Sequence, residues 1–236
     1  MAVFQSLKKR IAIRIYRLLY VVFYQMVFGK RLPFAERLAT VVSAYEKRLK
    51  RGDIPVAREV WESQYLAGRW DYMAQVDELA RYSTIVGFVQ YLKPAGSILD
   101  VGCGEGILFR QYRVYGYAKY VGIDISEAAI HKISEEKNDK TSFITSDAEQ
   151  YTPTEHFDTI VFNEVLYYFN DPFHTLEKYI NFLNRDGIFI VSTYTDSKRA
   201  MSILNRIKST YRLLSEVKTT QGSRSWICSI FLASLG

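Results

Sequence analysis

The sequence predicts an α/β fold: a doubly wound, mostly parallel sheet of seven strands with helices on both faces, preceded by a helical extension. Three observations predict it. Short β-type runs alternate with helical patterns beyond residue 77. The first run ends in a glycine-rich turn that opens a helix. The last two runs flank Gly222-Ser223-Arg224, as in a hairpin.

In chain order, Asp77–Leu92 reads as a helix stopped by Pro94-Ala95-Gly96. Ser97–Val101 reads as a strand, Glu105–Tyr115 as a helix and Tyr120–Asp124 as a strand. Ser126 can cap a helix over Glu127–Lys137. Ser142–Thr145 and Thr159–Phe162 are short strands, and Pro172 suits the first position of a helix to about Leu183. Asp186-Gly187 turns into strand Ile188–Thr193, and Ser197–Leu213 is helical. Strands near Ser215–Thr220 and Trp226–Leu232 close the chain. Such alternation implies crossover units and a mostly parallel sheet, whose ligands bind outside the carboxyl ends of the strands.

Composition bounds the function. At 236 residues the chain is one large domain, or one domain with an appendage. With 48% hydrophobic and 24% charged residues it is neither a disordered chain nor a polytopic membrane protein. Cys103 and Cys228 lie in neither CxxC nor Cys/His spacing, so neither structural zinc nor a disulfide framework is expected. Three scattered histidines give no case for another metal site.

The net charge of +6 is unevenly spread. Residues 1–56 hold 12 Lys/Arg and 3 Asp/Glu, whereas 57–236 hold 19 and 22. The basic character therefore belongs to the extension, and nucleic acid is not the expected partner of the main domain. Arg14 and Arg17 interrupt a would-be signal sequence, and the longest uncharged run, Leu18 to Gly29, is too short to span a bilayer. Arg10, Arg14 and Arg17 share one helical face, Ile11, Ile15, Leu18 and Val22 another. Two readings stay open: an amphipathic helix lying on an anionic membrane, or one packed on its own domain or a second subunit.

The densest signal is Ile98-Leu99-Asp100-Val101-Gly102-Cys103-Gly104-Glu105-Gly106. Glycines permit a tight turn and close backbone approach, and the helix start offers N–H groups. A nicotinamide dinucleotide competes for such a loop, but its third glycine is replaced by Ile107, and Asp100 would repel a phosphate. The loop suits a phosphate-free ligand carrying a cation. Asp124 ends the second strand, where a carboxylate can accept from a ribose diol. Asp147-Ala148 follows the third strand, so three acids would face one crevice.

This pattern resembles the class I S-adenosylmethionine-dependent methyltransferases, over roughly residues 60–236, with their Rossmann-like sheet and antiparallel last strand. The resemblance implies that Asp100, Gly102, Cys103, Gly104 and Gly106 line the methionine part of the cofactor. Asp124 and the following Ile125 would hold the ribose end, Asp147-Ala148 the adenine edge, and Asn163 would lie near the amino-acid moiety. The aromatic segment 61–73 resembles the cofactor lid of small-molecule members, with Tyr65, Arg69 and Trp70 as candidates and Arg69 able to pair a carboxylate.

On the acceptor side, Glu164-Val165-Leu166-Tyr167-Tyr168 stands where quinone-type O-methyltransferases commonly carry Glu-His. The run is more similar to the N-methyltransferases of nodulation-factor biosynthesis. Tyr168 and Glu164 are the acceptor-side candidates, and His174 a further base. The expected activity is methyl transfer to O or N of a small molecule or glycan, a lipid-linked one included, in the cytoplasm or at the inner membrane face. A non-catalytic binding module for the same cofactor is the alternative, and a nicotinamide dehydrogenase stands below both.

Overall fold

The computed structural model describes residues 58–235. The expectations for residues 1–57 lie outside the described residues. Helix α1 (Arg58–Leu66) and a 3-10 turn (Asp71–Ala74) lead into α2 (Val76–Leu92). Then follow β1 (Ala95–Val101), α3 (Ile107–Tyr112), β2 (Tyr117–Asp124), α4 (Glu127–His131), β3 (Thr141–Thr145) and β4 (Phe157–Asn163). The chain ends with α5 (Pro172–Ile180), β5 (Leu183–Tyr194), α6 (Lys198–Thr210), β6 (Tyr211–Gln221) and β7 (Arg224–Leu235).

The seven strands form one sheet in the order β3-β2-β1-β4-β5-β7-β6. β1 to β5 are parallel, and β7 inserts antiparallel between β5 and β6. The central strands are apolar on both faces because helices cover both. Under α5 and α6 the core holds Phe162, Leu176, Leu204 and Phe231. Under α2 and α3 it holds Ile85, Val89, Phe109 and Ile190. Strand order reverses between β1 and β4, so the carboxyl ends of β1, β2 and β4 flank a natural crevice.

Helix starts follow the side-chain caps. Ser126, Asp171 and Ser197 accept hydrogen bonds from Ala129, His174 and Ala200 N–H at 3.2, 3.1 and 3.1 Å.

Helix ends fall short of the expected ones. α4 stops at His131, where Ile133 turns inward to pack on the glycine loop. α5 stops at Ile180, because Leu183 already pairs with Phe157. Tyr211–Leu213 leave α6 and enter β6, with Tyr211 packed edge-on to Phe189 in the core. In each case tertiary pairing overrides helical propensity. No helix among the described residues is long and apolar enough to cross a membrane.

Candidate functional site

Parallel strands bring Asp100, Asp124, Asp147 and Asn163 to one edge of the sheet. The glycine loop after β1 is pinned to β2 by Gly102 and Cys103 N–H groups, both donating to the Ile123 carbonyl at 2.8 and 2.9 Å. Two of its glycines are dictated by geometry. Gly106 has φ +70°, and a Cβ there would lie 1.6 Å from the Ile133 side chain. Gly104 has φ +54°, and its Cβ would stand 2.8 Å from the Tyr65 hydroxyl.

Asp100 is 1% exposed. Its Oδ2 accepts from the Tyr120 hydroxyl at 2.7 Å, while Oδ1 is buried without a hydrogen-bond partner among the described residues. Burial raises its pKa to about 7, against the Tyr120 bond and with help from the charge of Asp124.

Asp124 differs from the expectation of an open diol acceptor. Its Oδ1 and Oδ2 already accept from Ser126 and Gly104 N–H, each at 2.9 Å. Burial still lifts its pKa to about 6, because those two bonds offset only part of the desolvation. Each carboxylate oxygen retains acceptor capacity for a second donor.

Asp100 and the glycine loop border a pocket of about 410 Å3 that opens into solvent, and Asp124 stands outside its lining. Of the candidate residues singled out from sequence, Tyr65, Trp70, Asp100, Gly102, Cys103, Gly104 and Asn163 line it. Ile125 follows Asp124 and is half-buried. Asp147 folds back on its own loop, Oδ1 accepting from Glu149 N–H at 2.8 Å. The Ala148 carbonyl is fixed by the Tyr179 hydroxyl at 2.9 Å.

The aromatic segment lies over the loop. Trp61 and Trp70 rings are 5.5 Å apart, Tyr65 and Trp70 6.1 Å, and these side chains pack on Ala128 and Ala129 of α4. Two polar ties hold it down. Glu62 accepts from Ser126 Oγ at 2.7 Å and Ala128 N–H at 3.0 Å, which satisfies the start of α4. Lys132 bridges Asp71 of the segment, at 3.2 Å, and Glu105 of the loop. Arg69 is half-buried in the turn after α1, where desolvation lowers its pKa.

Beyond the end of β4, Glu164 has φ +59°, a costly conformation for a non-glycine residue. The carboxylate of this half-buried residue accepts from the Tyr167 hydroxyl at 2.9 Å and Ser192 Oγ at 2.8 Å. Burial raises its pKa, while Arg81 pulls it down. Tyr168 packs edge-on to Trp61, with centroids 4.9 Å apart, and 4.5 Å from the Tyr167 ring. His174 lies apart, its side chain exposed on the first turn of α5.

Sequence reasoning missed Arg81. It is 2% exposed in the middle of α2, and Nη1 donates to Asn163 Oδ1 at 2.6 Å. Nη2 donates to Glu78 at 3.1 Å, and Glu78 in turn pairs with Arg224 of β7 at 2.7 Å. The available signal was a Glu78/Arg81 pair within the apolar stripe Tyr82, Ile85, Val86, Val89. Tyr167 and Glu62 were also missed as bonding partners.

Residues 68–219 match the family model described as a methyltransferase domain. The ribosomal protein L11 methyltransferase of Staphylococcus haemolyticus is 28% identical over 206 residues, covering 84% of this chain and 61% of that one. A malonyl-[acyl-carrier protein] O-methyltransferase of Ilyobacter polytropus is 29% identical over 110 residues, 45% of this chain and 41% of that one. The chain thus spans less than two thirds of the length of these curated relatives. Among solved structures, the N-methyltransferase NodS of Bradyrhizobium japonicum WM9, in complex with S-adenosyl-L-homocysteine, superposes with a TM-score of 0.61. Its identity is 18%, over 70% of this chain and 91% of that one, which is a likeness of fold. With the family model covering well over half of its length, the chain belongs to the S-adenosylmethionine-dependent methyltransferases.

Proposed function

We propose that this methyltransferase acts on O or N of a small molecule or glycan, and that the Asp100–Asn163 pocket holds the cofactor. The observation that carries the second part is Asp100 Oδ1. A buried carboxylate oxygen without a partner is costly. On a pocket wall it suits the ammonium of the cofactor's amino-acid end. Asp124, with one further acceptor site on each oxygen, suits the ribose hydroxyls, and the Asp147-Ala148 turn suits the adenine edge. The residues present therefore fit the cofactor.

When bound, S-adenosylmethionine supplies a methyl group made electrophilic by its sulfonium. The chain's own contribution is positioning, because in-line displacement needs no covalent intermediate. The glycine loop and Asp100 fix the donor side. Trp61, Tyr65 and Trp70 exclude water above it. Tyr168 sits at the border between lid and acceptor side, within hydrogen-bonding chemistry of an acceptor O–H or N–H. Glu164 fixes Tyr167, its neighbour, through the 2.9 Å bond. His174 stays in this reading only as a surface base for a bulky acceptor.

The short likeness of Glu164–Tyr168 to nodulation-factor enzymes supports an amine or hydroxyl on a glycan. The basic composition of residues 1–56 supports a lipid-linked acceptor and work at the inner membrane face. The second reading, a binding module without transfer, shares the same pocket.

The test is methyl transfer from labelled S-adenosylmethionine to a panel of amino sugars, chito-oligosaccharides, polyprenyl-linked glycans and phenols, with ribosomal protein L11 alongside. Label on a panel member supports the reading. Label on L11 alone contradicts it, and tight cofactor binding without transfer to any acceptor favours the binding module.

A further inference from the structure

The described domain is electrically divided. Residues 58–197 carry 12 Lys/Arg and 21 Asp/Glu, whereas 198–236 carry seven Lys/Arg and a single acid, Glu216. That acid is neutralised locally: it pairs with Lys208 of α6 and accepts from Ser229 Oγ at 2.7 Å. The segment lies at one edge of the sheet: α6 runs directly into the outer strand β6, whose register with β7 sets Arg212 on the α2 face and Leu213 and Lys218 on the α6 face. Lys198 and Arg206 of α6 and Arg212 and Lys218 of β6 are exposed along it. Between the last two, Leu213 and Leu214 are each 39% exposed.

We propose that this α6–β6 edge docks on an anionic lipid surface. Clustered cations supply attraction to anionic head groups, and an adjoining leucine pair supplies the apolar contact that a lipid interface rewards. Other occupants suit the surface less well. Residues 1–56, with 12 Lys/Arg against 3 Asp/Glu, bring no complementary charge to a basic face. Single-stranded RNA is held by stacking on aromatic rings. The aromatics here are unavailable for it: Tyr211 is 9% exposed, and Arg206 lies 3.7 Å over the Phe173 ring. The lipid contact is independent of cofactor and acceptor, so it stands or falls apart from the methyltransferase reading.

The experiment is co-sedimentation of the full chain with vesicles of phosphatidylcholine alone or mixed with phosphatidylserine. The variants are Arg212→Gln/Lys218→Gln and Leu213→Ser/Leu214→Ser, with circular dichroism confirming the fold. Expected is binding to the anionic vesicles only, weakened about fivefold per neutralised residue, and weakened again by the serine pair. Absence of binding by the wild type overturns the proposal. So does undiminished binding by both folded variants, which assigns the attraction to residues 1–56. If the variants instead lose RNA binding in a gel shift, or lose a dimer in sedimentation, with vesicle binding intact, the surface belongs to that partner.

Discussion

Arg81 Nη1 donates to Asn163 Oδ1 at 2.6 Å, across 82 positions of sequence. The bond joins the middle of α2 to the carboxyl end of β4, where the pocket wall turns toward the acceptor side. The same guanidinium faces Glu78 and stacks over Tyr82, 4.4 Å from its ring centroid. Replacing one partner of such a cluster leaves buried charge uncompensated. Arg81→Leu is therefore expected to destabilise the fold by about 3–5 kcal/mol. Urea unfolding measures it, and a loss below 1 kcal/mol would mean that Arg81 is not a structural tie.

Asp100 behaves in the opposite way. Its carboxyl is raised to about 7 by burial, so ionising it near neutrality opposes folding. Asp100→Asn keeps an acceptor for Tyr120 while removing the charge. At pH 8 the variant is expected to melt no lower than the wild type, yet to bind S-adenosylmethionine about 1–3 kcal/mol more weakly. Equal affinity would remove Asp100 from the cofactor site.

The two loop glycines separate packing from function. Gly106→Ala places a methyl 1.6 Å from Ile133 in a left-handed backbone, and is expected to lower stability by about 2–4 kcal/mol. Gly104→Ala meets the Tyr65 hydroxyl, at the end of a side chain that can move. It is expected to cost about 1–2 kcal/mol of backbone strain and to loosen the lid. Limited proteolysis between α1 and α2 reads the second effect, and an unchanged cleavage rate in Gly104→Ala would contradict the lid contact.

Glu62 ties the aromatic segment 61–73 to α4 by two bonds. Glu62→Ala leaves the Ala128 N–H and Ser126 hydroxyl without their acceptor. A stability loss of about 1–2 kcal/mol, with a red shift of tryptophan emission from Trp61 and Trp70, is the expected outcome. Unchanged emission would show that the lid is held by its aromatic contacts alone.

Much of this was legible in the sequence where a single physical cause acts. Strands flanked by turns fixed the sheet, and the acids at their ends fell on one edge because parallel strands must align them. Ser126 as a cap marked the start of α4 and Pro172 that of α5, while the caps Asp171 and Ser197 emerged with the fold. Helix ends were not legible, because Ile133, Leu183 and Tyr211 are claimed by contacts far along the chain. The Arg81 cluster was hidden for the same reason: Asn163 and Arg224 lie 82 and 143 positions from it. Asp124 was placed correctly at the end of β2, but its two backbone donors depend on the fold of the loop. The left-handed Glu164 had no local signal at all.

The central claim is that the Asp100 carboxyl, raised by burial and by the neighbouring charge of Asp124, receives a phosphate-free cation. Asp100 titrates at about 7 and Asp124 at about 6, both above their value of 3.8 outside the fold. Between those limits the folded chain holds the extra protons, so stability contributed by these groups falls as pH rises through that window. A cation favours the ionised carboxyls, so its binding expels protons and tightens as pH rises. The direct measurement is calorimetric titration with S-adenosylmethionine at pH 6 and pH 8, in two buffers of different ionisation enthalpy. Tighter binding at pH 8, with proton release at pH 6, is the predicted result. No binding heat at either pH, with a nicotinamide dinucleotide bound instead, would contradict the account.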